Sequence, residues 1–313
     1  MKRIFYTILF IFALISKEAF SQFKLSDLPE DFELQNLLNN FCVEKNLLKE
    51  FDVGKDGKEA VSIAIINLTS GKPKYAAINP YNFIYPASFY KVFIVIETLK
   101  QIRQKKFSLY DKIVIKEHNV VSNYIAVSND CRKPIKSNDT LTIDYLLDLT
   151  ITRSDNNAAN ALIDLVDREK INETIRSYGW TGSEVTKKFR ARKSELNEKY
   201  KNAKGVETCA AHAAEFFLRL YYDNLIDFWT SVRMKRYLSG QLDKTKIAAK
   251  LPDSCIVYSK SGWWSYWTND SEIIDDGKTK FILCCFLPIE SEKANEIISE
   301  LAVKVYNFID RNL

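Results

Sequence analysis

This chain is poor in the residues that build metal sites. Only two of its 313 residues are histidine, and neither a His cluster nor a Cys-x-x-Cys pair offers zinc-ligand spacing. No metal and no cofactor is therefore expected. A basic block is also lacking: the net charge of +5 is spread along the chain, which argues against a nucleic-acid partner. There are no repeats, low-complexity tracts or linkers. A hydrophobic content of 46% is ample for a large core, in one domain or two closely packed parts.

The exception to an even distribution is the start of the chain. Lys2 and Arg3 precede an apolar run, Ile4 to Ile15, which is too short for a confident transmembrane span. Ala19-Phe20-Ser21 then offers small residues suited to cleavage. Residues 1–21 read as a signal peptide, with an uncleaved N-terminal anchor as the alternative. No cysteine follows the run to carry a lipid. The mature protein is expected to be periplasmic or secreted, monomeric, and without stable membrane association. Export would permit oxidation of the six cysteines. Cys42, Cys131, Cys209, Cys255, Cys284 and Cys285 nevertheless read as small hydrophobes rather than a disulfide framework.

Periodicity divides the remainder. Asp31 to Glu44 carries Leu34, Leu37, Leu38 and Phe41 at helical spacing. Ala60 to Leu68 and Lys74 to Ile78 are β-rich and flank a Thr-Ser-Gly-Lys-Pro turn, which predicts a hairpin. From about Leu109 to Asp227 the pattern is helical with polar loops. Its elements include a helix capped by Thr142, one over Asn156 to Asp167, and a polar loop over Lys187 to Glu207. Strands return at Cys255 to Ser261, ending at Gly262, then at Trp263 to Ile274 and Lys280 to Leu287. Cys284 and Cys285 are adjacent in the last of these and should face opposite ways. An amphipathic helix, Ser291 to Ile309, closes the chain. The expected architecture is α+β: one sheet built from both termini, covered by terminal helices, with a helical insertion.

Three short motifs carry chemistry. Tyr85-Pro86-Ala87-Ser88-Phe89-Tyr90-Lys91 opens an apolar helix through Val92, Phe93, Val95, Ile96 and Leu99. Pro86 marks the helix entry, and Lys91 lies one turn beyond Ser88 on the same face. An amine so placed can activate the weakly nucleophilic serine if its pKa is lowered. Ser154-Asp155-Asn156 puts a hydroxyl and a carboxamide on a tight loop before a helix. Lys260-Ser261-Gly262 puts a cation, a hydroxyl and an unencumbered backbone at a strand end. Each motif alone is weak: Ser-x-x-Lys also occurs at Ser21-Gln22-Phe23-Lys24, and Ser-Asp-Asn is ordinarily a turn or cap.

Together and in this order, the three motifs resemble the signatures of class A β-lactamases and penicillin-binding proteins. The resemblance extends through Asn157-Ala158-Ala159-Asn160, Thr268-Asn269-Asp270, and Ser194-Glu195-Leu196-Asn197-Glu198, which is similar to part of the family's omega loop. It implies a five-stranded antiparallel sheet flanked by helices, plus an all-helical subdomain, with the site between them. The sheet part would be about 22–87 and 240–313 and the helical part about 88–239, within one catalytic domain over 22–313. The resemblance further implies that Ser88 is acylated, Lys91 activates it and Ser154 relays a proton to the leaving nitrogen. Asn156 would bind the substrate's acylamino group, with Asn197 as the omega loop's asparagine. Lys260, Ser261 and Gly262 would hold the carboxylate side, and the backbone N–H groups of Ser88 and Trp263 would form an oxyanion hole.

The sequence departs from the family in one chemical respect. The gapless match places Lys193 where a glutamate activates the deacylating water, leaving Glu195 as the nearest candidate base. The loop's Arg–Asp pair falls on Ala191 and Val206 and is missing. Trp263 and Trp264 are bulky where small residues are common. The expected activity is β-lactam hydrolysis, with slow deacylation. The alternatives are a D-alanyl-D-alanine peptidase or related cell-wall serine hydrolase, and a penicillin-binding protein that does not turn over.

Overall fold

The structure, a computed structural model, describes residues 23–121, 130–186 and 205–312. Residues 1–21, Lys193, Glu195 and Asn197 lie outside that set. Five strands form the central sheet: β1 (Ser62–Asn67), β2 (Lys74–Ile78), β3 (Ile256–Trp264), β4 (Trp267–Asp275) and β5 (Lys280–Leu287). Every pairing is antiparallel, in the order β2-β1-β5-β4-β3. Strands from the two ends of the chain therefore interleave, with β5 between β1 and β4.

Strands β1 and β5 read as near-continuous apolar runs because both sheet faces are covered there. Along β5, Ile282, Cys284 and Phe286 face one core, whereas Phe281, Leu283, Cys285 and Leu287 face the other. The alternation follows from the two-residue repeat of a strand. All six cysteines are free, and Cys284 and Cys285 lie on opposite faces. Helices α1 (Phe32–Glu44) and α8 (Ser291–Arg311) close the second face. Asp31 starts α1 by accepting a hydrogen bond from Leu34 N.

The first face packs on the helical part: α2 (Lys91–Arg103), α3 (Ile143–Thr152), α4 (Asn156–Val166), α5 (Arg168–Ser177), α6 (Ala210–Tyr221) and α7 (Phe228–Ser239). Helix α2 is buried around most of its circumference, from Lys91 through Leu99, as expected of a helix in the middle of a core. Thr142 caps α3 and Asp155 caps α4, each accepting from a backbone N–H three residues on.

One expectation needs correction. Strand β3 does not end at Gly262 but runs on to Trp264, paired through Gly262↔Asn269, Trp263↔Thr268 and Trp264↔Trp267. The next strand accordingly begins at Trp267, after a two-residue turn in which Ser265 has φ +50°. Ser88 lies at the helix entry, as expected, in a 3-10 turn, Ala87–Tyr90, that leads into α2.

Candidate active site

The three motifs converge. The 3-10 turn carries Ser88 to the head of α2, one turn before Lys91, and the Lys91 Nζ lies 3.1 Å from Ser88 Oγ. The loop between α3 and α4 brings Ser154 to the same amine, with Oγ at 3.1 Å and the carbonyl oxygen at 2.5 Å. Asn156 Oδ1 accepts a further hydrogen bond from Lys91 at 2.8 Å. From the sheet side, Lys260 Nζ donates to Ser154 Oγ at 3.0 Å and to the Ser261 carbonyl at 2.6 Å. The Ser154 hydroxyl is thus bracketed by two lysines from opposite halves of the molecule.

Two residues at this junction hold left-handed backbone without being glycine: Ala87 at φ +47° and Ser154 at φ +59°. Such conformations cost about 1–3 kcal/mol each and persist where the surroundings over-determine them. The strain falls next to the proposed nucleophile and on the bracketed hydroxyl. Arg153, buried to 1% exposure, fixes the second loop. Its guanidinium pairs with Asp155, and it donates to the Arg132 and Lys133 carbonyls. Asn157 and Asn160 anchor the same segment by bonding Val121 N, the Ile135 carbonyl and the Asn119 carbonyl.

Gly262 makes the approach of β3 possible. A Cβ there would lie 2.7 Å from Ser88 N, 2.7 Å from the Pro86 oxygen and 2.9 Å from Phe89 N, all backbone atoms. Strand and turn therefore meet backbone to backbone, and only glycine fits between them. Asn269, opposite Gly262, donates to the Tyr85 carbonyl and ties β4 to the same turn. Trp263 and Trp264 follow at the rim, 44% and 46% exposed, so neither is core packing.

Burial governs the electrostatics. Both lysines are fully buried. Desolvation, reinforced by the charge of Lys260, holds Lys91 well below the ordinary lysine range, against the pull of Asp155. Burial brings Lys260 down to about 7, opposed by Asp243 and Asp270. An amine held neutral in this way can accept a proton.

Sequence reasoning missed the loop between α7 and β3. The Ser261 hydroxyl does not face open space but donates to Asp243 Oδ2 at 2.8 Å. Lys246 reaches the same oxygen at 2.5 Å. A charged run such as Asp243-Lys244-Thr245-Lys246 suggests a solvated turn, yet Lys246 is 2% exposed. Behind β3, Asp270 accepts from Ile247 N, and Glu272 is fully buried without a well-formed hydrogen bond to either carboxylate oxygen. Burial, with Asp270 alongside, pushes the Glu272 carboxyl well above the usual range.

This fold is shared with solved β-lactamases, class A enzymes among them, and with PBP-A. A β-lactamase from Sphaerobacter thermophilus superposes with a TM-score of 0.72 at 18% identity, over 87% of this chain and 96% of that one. A mutant of PBP-A, solved as an acyl-enzyme complex with penicillin G, gives 0.73 at 16% identity, over 90% and 99%. The chain belongs to the β-lactamase enzyme family, whose model matches residues 44–309. It is also 34% identical over 146 residues to β-lactamase BRO-1 of Moraxella catarrhalis; that match spans 45% of this chain and 43% of the relative's length.

Proposed function

We propose that this protein opens β-lactam rings through an acyl-serine on Ser88, as class A enzymes do. The observation that carries this reading is the placement of the Lys91 amine between two hydroxyls, Ser88 and Ser154, and two carbonyl-type oxygens. A neutral amine has two N–H groups and one lone pair. The Ser154 carbonyl and Asn156 Oδ1 can only accept, so they take the N–H groups and turn the lone pair toward a hydroxyl. Ser88 Oγ attacks the lactam carbonyl carbon as Lys91 takes its proton. The backbone N–H groups of Ser88 and Trp263 stabilise the oxyanion, an effect commonly worth about 3 kcal/mol.

Collapse of that intermediate breaks the C–N bond. Ser154 gives its proton to the departing nitrogen and regains one from Lys91, leaving an ester on Ser88. Asn156 holds the acylamino side, with Asn197 as the omega loop's asparagine, while Lys260, Ser261, Gly262 and Trp263 line the carboxylate side. Water then hydrolyses the ester, with Glu195, two residues beyond Lys193 in the sequence, as the candidate base. The test is to mix purified protein with a chromogenic cephalosporin and follow colour and intact mass together. A burst and an adduct on Ser88 are expected, and labelling of Ser88→Ala to the parent level would sink the reading.

A second reading, a D-alanyl-D-alanine peptidase working through the same acyl-serine, is favoured by Lys193 alone. Release of D-alanine from a pentapeptide faster than β-lactam turnover would establish it. The leader motivates a further proposal, export to the periplasm with cleavage after about Ser21. N-terminal sequencing of the periplasmic fraction checks this, and a membrane-bound chain starting at Met1 would refute it.

A further inference from the structure

The Asp243 carboxylate is caged. Oδ2 accepts from Ser261 Oγ at 2.8 Å and from Lys246 Nζ at 2.5 Å. Oδ1 accepts from Thr245 N at 3.2 Å and from Thr245 Oγ1 at 2.7 Å. Its segment is also anchored: Leu242 N donates to the Thr152 carbonyl, and Gln241 bonds both the Ile151 carbonyl and Asp243 N. These contacts tie Asp243 to the end of α3, immediately before the Ser154 loop. The side chain is 15% exposed, so it is not sealed in the core, and its bond to Ser261 joins it to the third motif. Lys260 stands on the neighbouring residue of β3, with its amine on Ser154.

An oxygen anion on a serine hydroxyl and an ammonium group, beside a second lysine, is the arrangement a substrate carboxylate would adopt in this place. We infer that Asp243 is an internal surrogate for the substrate carboxylate. It occupies Ser261 and Lys246, and so steers the site toward substrates whose group at that position is uncharged. The inference rests on the reading of Lys260 and Ser261 as the carboxylate side of the site. A carboxylate arriving there meets a like charge and must displace Asp243 from both partners. An ester or amide meets no such repulsion. Juxtaposed like charges commonly cost several kcal/mol, enough to set selectivity.

Asp243→Asn keeps the volume and removes the charge. The measurement is calorimetric binding of benzylpenicillin and of its methyl ester, in a Ser88→Ala background so that no covalent step intervenes. The expected result is that Asp243→Asn tightens benzylpenicillin about tenfold or more while the ester moves less than about threefold, a split that follows from charge repulsion. Asp243→Ser should give the same split if the asparagine variant folds poorly, and thermal melting of both reports on folding. Equal changes for acid and ester, weaker binding of the acid, or no binding of either ligand would overturn the inference. The acyl-serine reading is judged separately, by the mass of the parent protein. An acid–ester split without a Ser88 adduct would remove that reading and leave this one standing.

Discussion

The α-carbon of Gly262 packs directly on the backbone of Ser88: a methyl group there would stand 2.7 Å from Ser88 N. Gly262→Ala must therefore move the strand or the turn, and both carry proposed site residues. Displacements of about 1 Å can lower rates roughly 10²-fold, whereas overpacking costs only about 1–3 kcal/mol of stability. The variant is expected to fold, to melt a few degrees lower, and to acylate about a hundredfold more slowly. Adduct formation at the parent rate would show that the turn is not held by this contact.

Lys91 is expected to act as a neutral amine, so its charge should not be what matters. Lys91→Arg keeps a cation in place but cannot give up a proton at ordinary pH. Loss of a positioned base commonly lowers a rate about 10²–10⁴-fold. The arginine variant should lose acylation by that order, as should Lys91→Met. Substantial rescue by arginine, read as adduct mass against time, would mean that Lys91 serves only as a charge.

Lys193 carries the proposal of slow deacylation. A protonated lysine cannot take a proton from water, so the acyl-enzyme should accumulate. Lys193→Glu should speed the slow phase by about 10²-fold or more, the usual contribution of a general base. Glu195→Gln should slow it further only where Glu195 is the substitute base. Fast linear turnover in the parent, unaffected by Glu195→Gln, would place the base elsewhere.

Glu272 links stability to pH. Its carboxyl titrates well above the unfolded value of 4.5, mainly through burial. A group with its folded pKa raised contributes stability that is present below the unfolded pKa and is lost as pH rises through the folded one. The neutral Glu272→Gln variant should lack this loss. Its melting temperature, relative to the parent, should rise between pH 5 and pH 8. Parallel melting curves across that range would show that the carboxyl ionises as freely in the folded protein as in the unfolded chain.

Much of the site was legible because its motifs are short and contiguous. Ser88 and Lys91 share one helical turn, Ser154 and Asn156 one loop, and Lys260 to Gly262 one strand. Apolar spacing likewise gave the two terminal helices and both faces of β5. The misjudged strand end has a physical source: a glycine weakens strands in general, but here it marks a close backbone approach. Asp243, Lys246 and Arg153 were invisible for another reason. Charged residues are solvated by default, and only packing between distant segments buries Arg153 and Lys246 to 1% and 2% exposure. The 3-10 turn at Ser88 and the first turn of a helix share their spacing, so periodicity could not separate them.

The interleaving of the sheet has a consequence for biosynthesis. Strand β1 emerges early but pairs with β5, and Thr69 bonds Lys280 from 211 positions away. Contacts of such long range form late and slowly, because the intervening chain must first be brought together. A nascent chain can close the β1–β2 hairpin, but it cannot seat the Ser88 turn until Gly262 and the strands around it have been synthesised. The reactivity proposed for Ser88 would thus be withheld until the polypeptide is nearly whole, and fragments ending before β3 should be inert toward acylating agents.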